Sequence, residues 1–161
     1  MKFLETLTNV LNKILMIAGG IAVLALMTLA TGNVVLRVFH FPFRGAYEIV
    51  SFLGAIVIAF ALGYTQRRKD HIVVEILTER FPKKLQRGID TFAYLVITIF
   101  FAIVSWQIFV WAMKIYVSHE ASETLKVIYH PFVFAVALAF AVVSLTTFVD
   151  FLKNIFVQEE E

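Results

Sequence analysis

Four long apolar runs, separated by short polar stretches, set the pattern of this chain. They cover residues 14–36, 46–64, 89–115 and 132–151. A hydrocarbon core of roughly 30 Å is crossed by roughly 20 helical residues, and each run approaches or exceeds that length. The pattern predicts an all-α integral membrane protein, with four transmembrane helices in a single membrane domain over 1–161. Residues 1–13 place Lys2 and Lys13 around apolar positions and predict a short amphipathic lead-in at the inner surface. The first run is longer than the apolar core of a secretory signal, roughly 7–15 residues, so it reads as a retained helix. Pro42 and Gly45 break the helix in the turn at 37–45.

The one long polar interruption is the segment 66–88. It holds Arg67, Arg68, Lys69, Arg80, Lys83, Lys84 and Arg87, half of the 14 Lys and Arg residues. A segment this basic beside membrane spans is expected on the cytoplasmic side. Four spans then put both termini on that side as well. The inner side collects Lys2, Lys13, the seven of the segment and Lys153; the outer side has Arg37, Arg44, Lys114 and Lys126. Tyr47, Trp111, Tyr116 and Tyr129 fall at the outer interface, and Tyr64 and Tyr94 near the inner one. Inside the segment, Ile72, Val73, Ile76 and Leu77 share one helical face, opposite His71, Glu75, Thr78 and Glu79. This predicts a short amphipathic interfacial helix between spans two and three, stopped by Pro82.

Composition agrees with lipid as the solvent, at 60% apolar and 15% aromatic residues. The net charge of +2 gives no electrostatic footprint for nucleic acid. The chain has no cysteine, which removes disulfides, thiolate catalysis and Cys-type metal sites. No nucleophile–base constellation, Gly-rich phosphate loop or metal-ligand cluster is present, so nothing points to an enzyme.

The polar and small residues within the spans are the remaining candidates. Ser51, Ala55, Ala59 and Gly63 recur every four residues and predict a helix-packing stripe. Ala18 and Ala22, and Ala137, Ala141 and Ser144, do the same on spans one and four. Glu48 opens the second span, where the helix dipole favours a carboxylate. Arg37 ends the first span with Asn33 one turn below it. The expectation is a hairpin clasp in which Arg37 and Glu48 pair across the turn at Pro42, with Asn33 helping; the competing reading is a proton-carrying Glu48. Asp90 with Arg87, and Asp150 with Lys153, are expected to pair locally. Gln107 is expected to make an inter-helix hydrogen bond. His40, His71, His119 and His130 all fall at membrane edges, which argues against haem ligation. His119, Glu120 and Glu123 lie in an outer loop, as either a solvated loop or a docking edge for an external protein.

With these residues laid out, the sequence resembles the DctQ-type small membrane subunit of tripartite ATP-independent periplasmic (TRAP) transporters. The family shows an Asn-x3-Arg at the end of its first span, here Asn33 and Arg37. A Pro follows in the turn, here Pro42, and a Glu opens the second span, here Glu48. After that span comes a His-hydrophobic-x-Val-acid stretch, here His71, Ile72, Val74 and Glu75, with Glu where Asp is usual. Pro82 with Lys83 and Lys84 comes next. The resemblance implies a multi-pass subunit of the cytoplasmic (inner) membrane that supports a large membrane subunit during sodium-coupled uptake of an organic acid. A periplasmic substrate-binding protein would deliver the substrate. It implies that substrate and sodium sites lie on the large subunit, so this chain would carry no cofactor and no substrate-binding residue. Membrane lipids and the two TRAP components are the implied partners. Two other readings compete: an autonomous proton-coupled transporter using Glu48, and a membrane-anchor subunit of another complex.

Overall fold

The computed structural model describes residues 2–41, 43–68 and 83–158. Among them are four helices: α1 (Lys2–Val38), α2 (Ala46–Arg68), α3 (Lys83–Ser118) and α4 (His130–Gln158). Each contains a window long and apolar enough to cross a membrane. The expected interfacial helix at 69–82, with Lys69, His71, Glu75 and Pro82, lies outside the described residues, as does Pro42.

The first helix differs from expectation. Residues 2–13 do not form a separate lead-in but continue straight into the span, giving one helix of 37 residues. At the usual rise that is about 55 Å, well beyond the hydrocarbon core, so α1 must tilt or project from it. The reason is chemical. Asn12 is buried inside the bundle, where its Nδ2 donates to Thr8 O and to Thr146 Oγ1 of α4, each at 2.9 Å. Lys153 of α4 pairs with Glu5 at 3.3 Å, so the early turns of α1 are held along the bundle.

α4 is the central element. It packs along α3, against α2 and more lightly against α1, while α1 and α2 form an antiparallel pair. Of its most apolar window 44% is buried, against 6% for α3, which packs almost solely on α4. Small residues explain the close approach. Leu15, Ala59, Phe60, Ala139 and Val142 form the core. A Cβ added at Gly19 would stand 3.2 Å from Cβ of Phe60.

The stripe on α2 divides. Ala59 and Gly63 are buried, whereas Ser51 and Ala55 are exposed. Hydroxyls clip α3 to α4: Thr98 Oγ1 donates to Thr147 Oγ1 at 3.0 Å, Ser144 Oγ to Thr98 O at 3.1 Å and Ser105 Oγ to Ala137 O at 2.9 Å. Nearer the termini, Asn154 Nδ2 donates to Thr91 Oγ1 at 2.9 Å. Gln107 takes no part in this network. Its side chain is exposed and makes no hydrogen bond among the described residues, contrary to expectation. The side of α3 turned to α4 carries Ile108, Ala112 and Ile115, and Gln107 falls away from it.

Candidate functional site

The α1–α2 turn and the α3–α4 loop meet at one end of the bundle, called here the hairpin end. α1 closes in a Schellman motif: His40 is left-handed at φ 61°, its N–H donates to Arg37 O, and the N–H of Phe41 donates to Leu36 O at 3.0 Å. α3 closes similarly on His119, at φ 51°, with the N–H of Glu120 reaching Ile115 O. Two of the histidines thus sit where glycine is usual, and this backbone role was not visible from residue type.

Asn33 and Arg37 both act across the turn. Asn33 Oδ1 accepts from the N–H of Phe43 at 3.0 Å, and Arg37 Nη2 donates to the Tyr47 hydroxyl at 3.1 Å. The expected Arg37–Glu48 pair is not made. Glu48 instead accepts the N–H of Thr124 at 2.6 Å and that of Leu125 at 3.1 Å, one on each carboxylate oxygen. Two successive amides presented to an ionised carboxylate form charge-assisted bonds, and these satisfy both oxygens without the guanidinium. Gly45 makes the approach possible. The side chain of Leu125 lies directly over it, in the space a Cβ would fill. The clasp therefore joins α2 to the α3–α4 loop as well as to α1.

The loop, residues 119–129, is shaped to offer those amides. Ala121 and Ile128 form an antiparallel bridge, and Ser122 N donates to Val127 O at 3.0 Å. The buried Ser122 hydroxyl accepts from the N–H of Val127 at 3.2 Å, and Lys126 turns the chain at φ 55°. Glu120 is occupied within the loop: it accepts from the Ser118 hydroxyl at 3.0 Å and the Tyr129 hydroxyl at 2.7 Å. The Glu120 carboxylate holds the Tyr129 phenol above its ordinary pKa. The Tyr129 ring stacks on Phe52 of α2 at 5.6 Å, and Phe52 also stacks on Phe132.

Of the docking candidates, Glu120 is thus engaged internally and His119 caps α3, while Glu123 projects into the open. Of the topology residues, Arg67 and Arg68 end α2. Sequence reasoning missed Gly45, Tyr47, Thr124, Leu125 and Tyr129 as members of this site. Gly45 was read only as a helix breaker. The amides at 124 and 125 carry no side-chain signature. Pro131, in the first turn of α4, is the kind of residue that could have marked where the loop ends.

The site joins the α1–α2 turn to the α3–α4 loop; its polar groups mostly satisfy one another rather than forming an open pocket. Residues 24–156 match the family model of tripartite ATP-independent periplasmic transporters, DctQ component. Comparison with curated proteins and with solved structures returns no match.

Proposed function

The chain belongs to the DctQ component family of tripartite ATP-independent periplasmic transporters, and from that premise we propose that it is the stationary scaffold of its complex. The family is a transporter component rather than an enzyme family, placed in the inner membrane, and four membrane-length apolar helices fit a multi-pass member. The proposed role is to enlarge the fixed frame against which the large membrane subunit moves an organic acid with sodium. Substrate would arrive from the periplasmic binding protein, and the sodium and substrate sites would belong to the large subunit.

One observation carries this reading: α3 packs almost solely on one neighbour, with 6% of its apolar window buried against 17% for α1 and for α2. α4 is packed from several directions, whereas α3 leaves most of its apolar length uncovered. A helix so placed offers a lateral surface to another integral protein. The hairpin-end clasp supports the same reading, because it ties the α3–α4 loop rigidly to α2. Glu48 is engaged there by backbone amides, which suits a structural role better than proton carriage. We further propose that both termini are cytoplasmic, from the distribution of Lys and Arg.

The test is purification and reconstitution. A tagged chain should retain a much larger membrane protein in mild detergent. Uptake into liposomes should require that protein, the binding protein and this chain together. Solute uptake by this chain alone would overturn the reading.

A further inference from the structure

Gln107 is a polar group of α3 that the fold leaves unused among the described residues. It lies seven residues before Lys114, about 10 Å farther along the helix axis. Exposed hydroxyls in the spans are treated differently. Thr28, Ser51 and Thr65 each donate to the carbonyl four residues earlier in their own helix. The carboxamide of Gln107 offers donors and an acceptor and makes no hydrogen bond among the described residues. Hydrocarbon supplies neither partner, so an amide left against lipid is costly.

The surroundings restrict what can satisfy it. Phe100, Ile103 and Trp111 share the exposed side of α3 with Gln107 at helical spacing. At its far end that side borders a cavity of about 340 Å³ between α2 and α3, lined in part by Phe100. Beyond the cavity the two helices pack on α4 rather than on each other, leaving Ser51 and Ala55 of α2 exposed too. The result is a cleft with a low wall on α2 and Gln107 on α3. Phospholipid headgroups stay at the membrane surface, too far to reach this carboxamide.

We propose that this cleft seats one transmembrane helix of the large membrane subunit, and that this helix brings a polar side chain or free carbonyl to Gln107. The proposal rests on the subunit reading above and adds the face and the chemistry of the contact. A second copy of this chain, pairing Gln107 with Gln107 about a twofold axis, is the competing occupant.

The test uses the complete complex in native membranes. A photo-crosslinking phenylalanine derivative is placed at Phe100, Ile103 or Trp111, and as controls at Ile17, Ile21 or Leu24 on the exposed side of α1. The α3 positions should give an adduct with the large subunit, and the α1 positions none. In mild detergent Gln107→Leu should weaken retention of the large subunit about 3- to 16-fold, the range of one membrane hydrogen bond. Gln107 is exposed, so leucine there disturbs no packing within the bundle, and the circular dichroism of the variant checks the fold. Adducts from α1 alone, an adduct of two copies of this chain, or undiminished retention by Gln107→Leu would each overturn the proposal. If the unaltered chain retains no large membrane protein, the subunit reading falls with it. If retention is intact but crosslinks map to α1, only the placement falls.

Discussion

Replacing Gly63 by alanine would push a methyl group against a buried oxygen. The new Cβ would stand 2.8 Å from Asn12 Oδ1, while a comfortable carbon–oxygen contact is about 3.3 Å or longer. Asn12 is 1% exposed, and its Oδ1 has no hydrogen-bond partner; the position facing it on Gly63 holds only hydrogen. Parting the helices would relieve the collision only by opening the close contact of Gly19 with Phe60, which loses packing. Asn12 must therefore swing, at about 0.5–1.5 kcal/mol for an off-rotamer side chain. Its bond to Thr146 is lost as well, worth about 0.6 and at most about 1.7 kcal/mol in a membrane. Alanine returns about 1 kcal/mol through its better helix propensity. The net expectation is destabilisation by about 1 kcal/mol, within a range of about 0–2. In an Asn12→Ala background the collision is gone, and Gly63→Ala should become neutral or stabilising by up to about 1 kcal/mol. Reversible unfolding in mixed detergent micelles, followed by circular dichroism, would measure all four proteins. An equal effect of Gly63→Ala in both backgrounds would refute the reasoning, because the oxygen would then not be what the methyl meets.

Four shorter predictions accompany it. Glu48→Ala should expose the 119–129 loop to protease sooner than wild type, and Glu48→Gln, which keeps one acceptor oxygen but sets an NH2 against the other amide, should do so to a lesser extent; a Gln variant that assembles normally but fails to transport would sink the clasp. His119→Gly should leave thermal unfolding unchanged or raise its midpoint, whereas His119→Val should cost about 1–2 kcal/mol through the left-handed backbone. The Tyr129 phenol titrates higher when folded than its ordinary 10.0, so its bond to Glu120 contributes fully below that value and is lost as pH rises through the raised one. Loop amide protection should accordingly fall in that alkaline window, and Tyr129→Phe should remove this part of the pH dependence. Finally, a cysteine at Glu123 should react with a membrane-impermeant reagent from the periplasm, and one within 66–88 should not; the reverse pattern would invert the proposed orientation.

Much of the architecture is legible because lipid imposes a simple length rule, and four apolar runs obey it. Helix ends are less so. Asn12 and Thr8 fall in the segment read as a surface lead-in, yet the Thr146 hydroxyl of α4 holds Asn12 inside, and Thr8, bonded within its own helix, is buried beside it. Hydropathy also cannot say which side of an all-apolar helix is covered. Gln107 therefore looked like an internal glue residue, and Ser51 and Ala55 looked as packed as Ala59 and Gly63. The clasp was half visible: Asn33, Arg37 and Glu48 do act at one end. The carboxylate's true partners are main-chain amides, which every residue except proline carries, so no side-chain pattern could single them out.

The span of the Glu48 contact has a bearing on biogenesis. Its two amide donors lie 76 and 77 residues downstream, beyond the whole of α3. The first helical pair must enter the bilayer with its carboxylate unclaimed and wait until the second pair is synthesised. Should that second pair be inserted upside down, its loop would emerge on the opposite surface, and Glu48 would have nothing to hold. The latch can therefore close only when both turns emerge on the same surface.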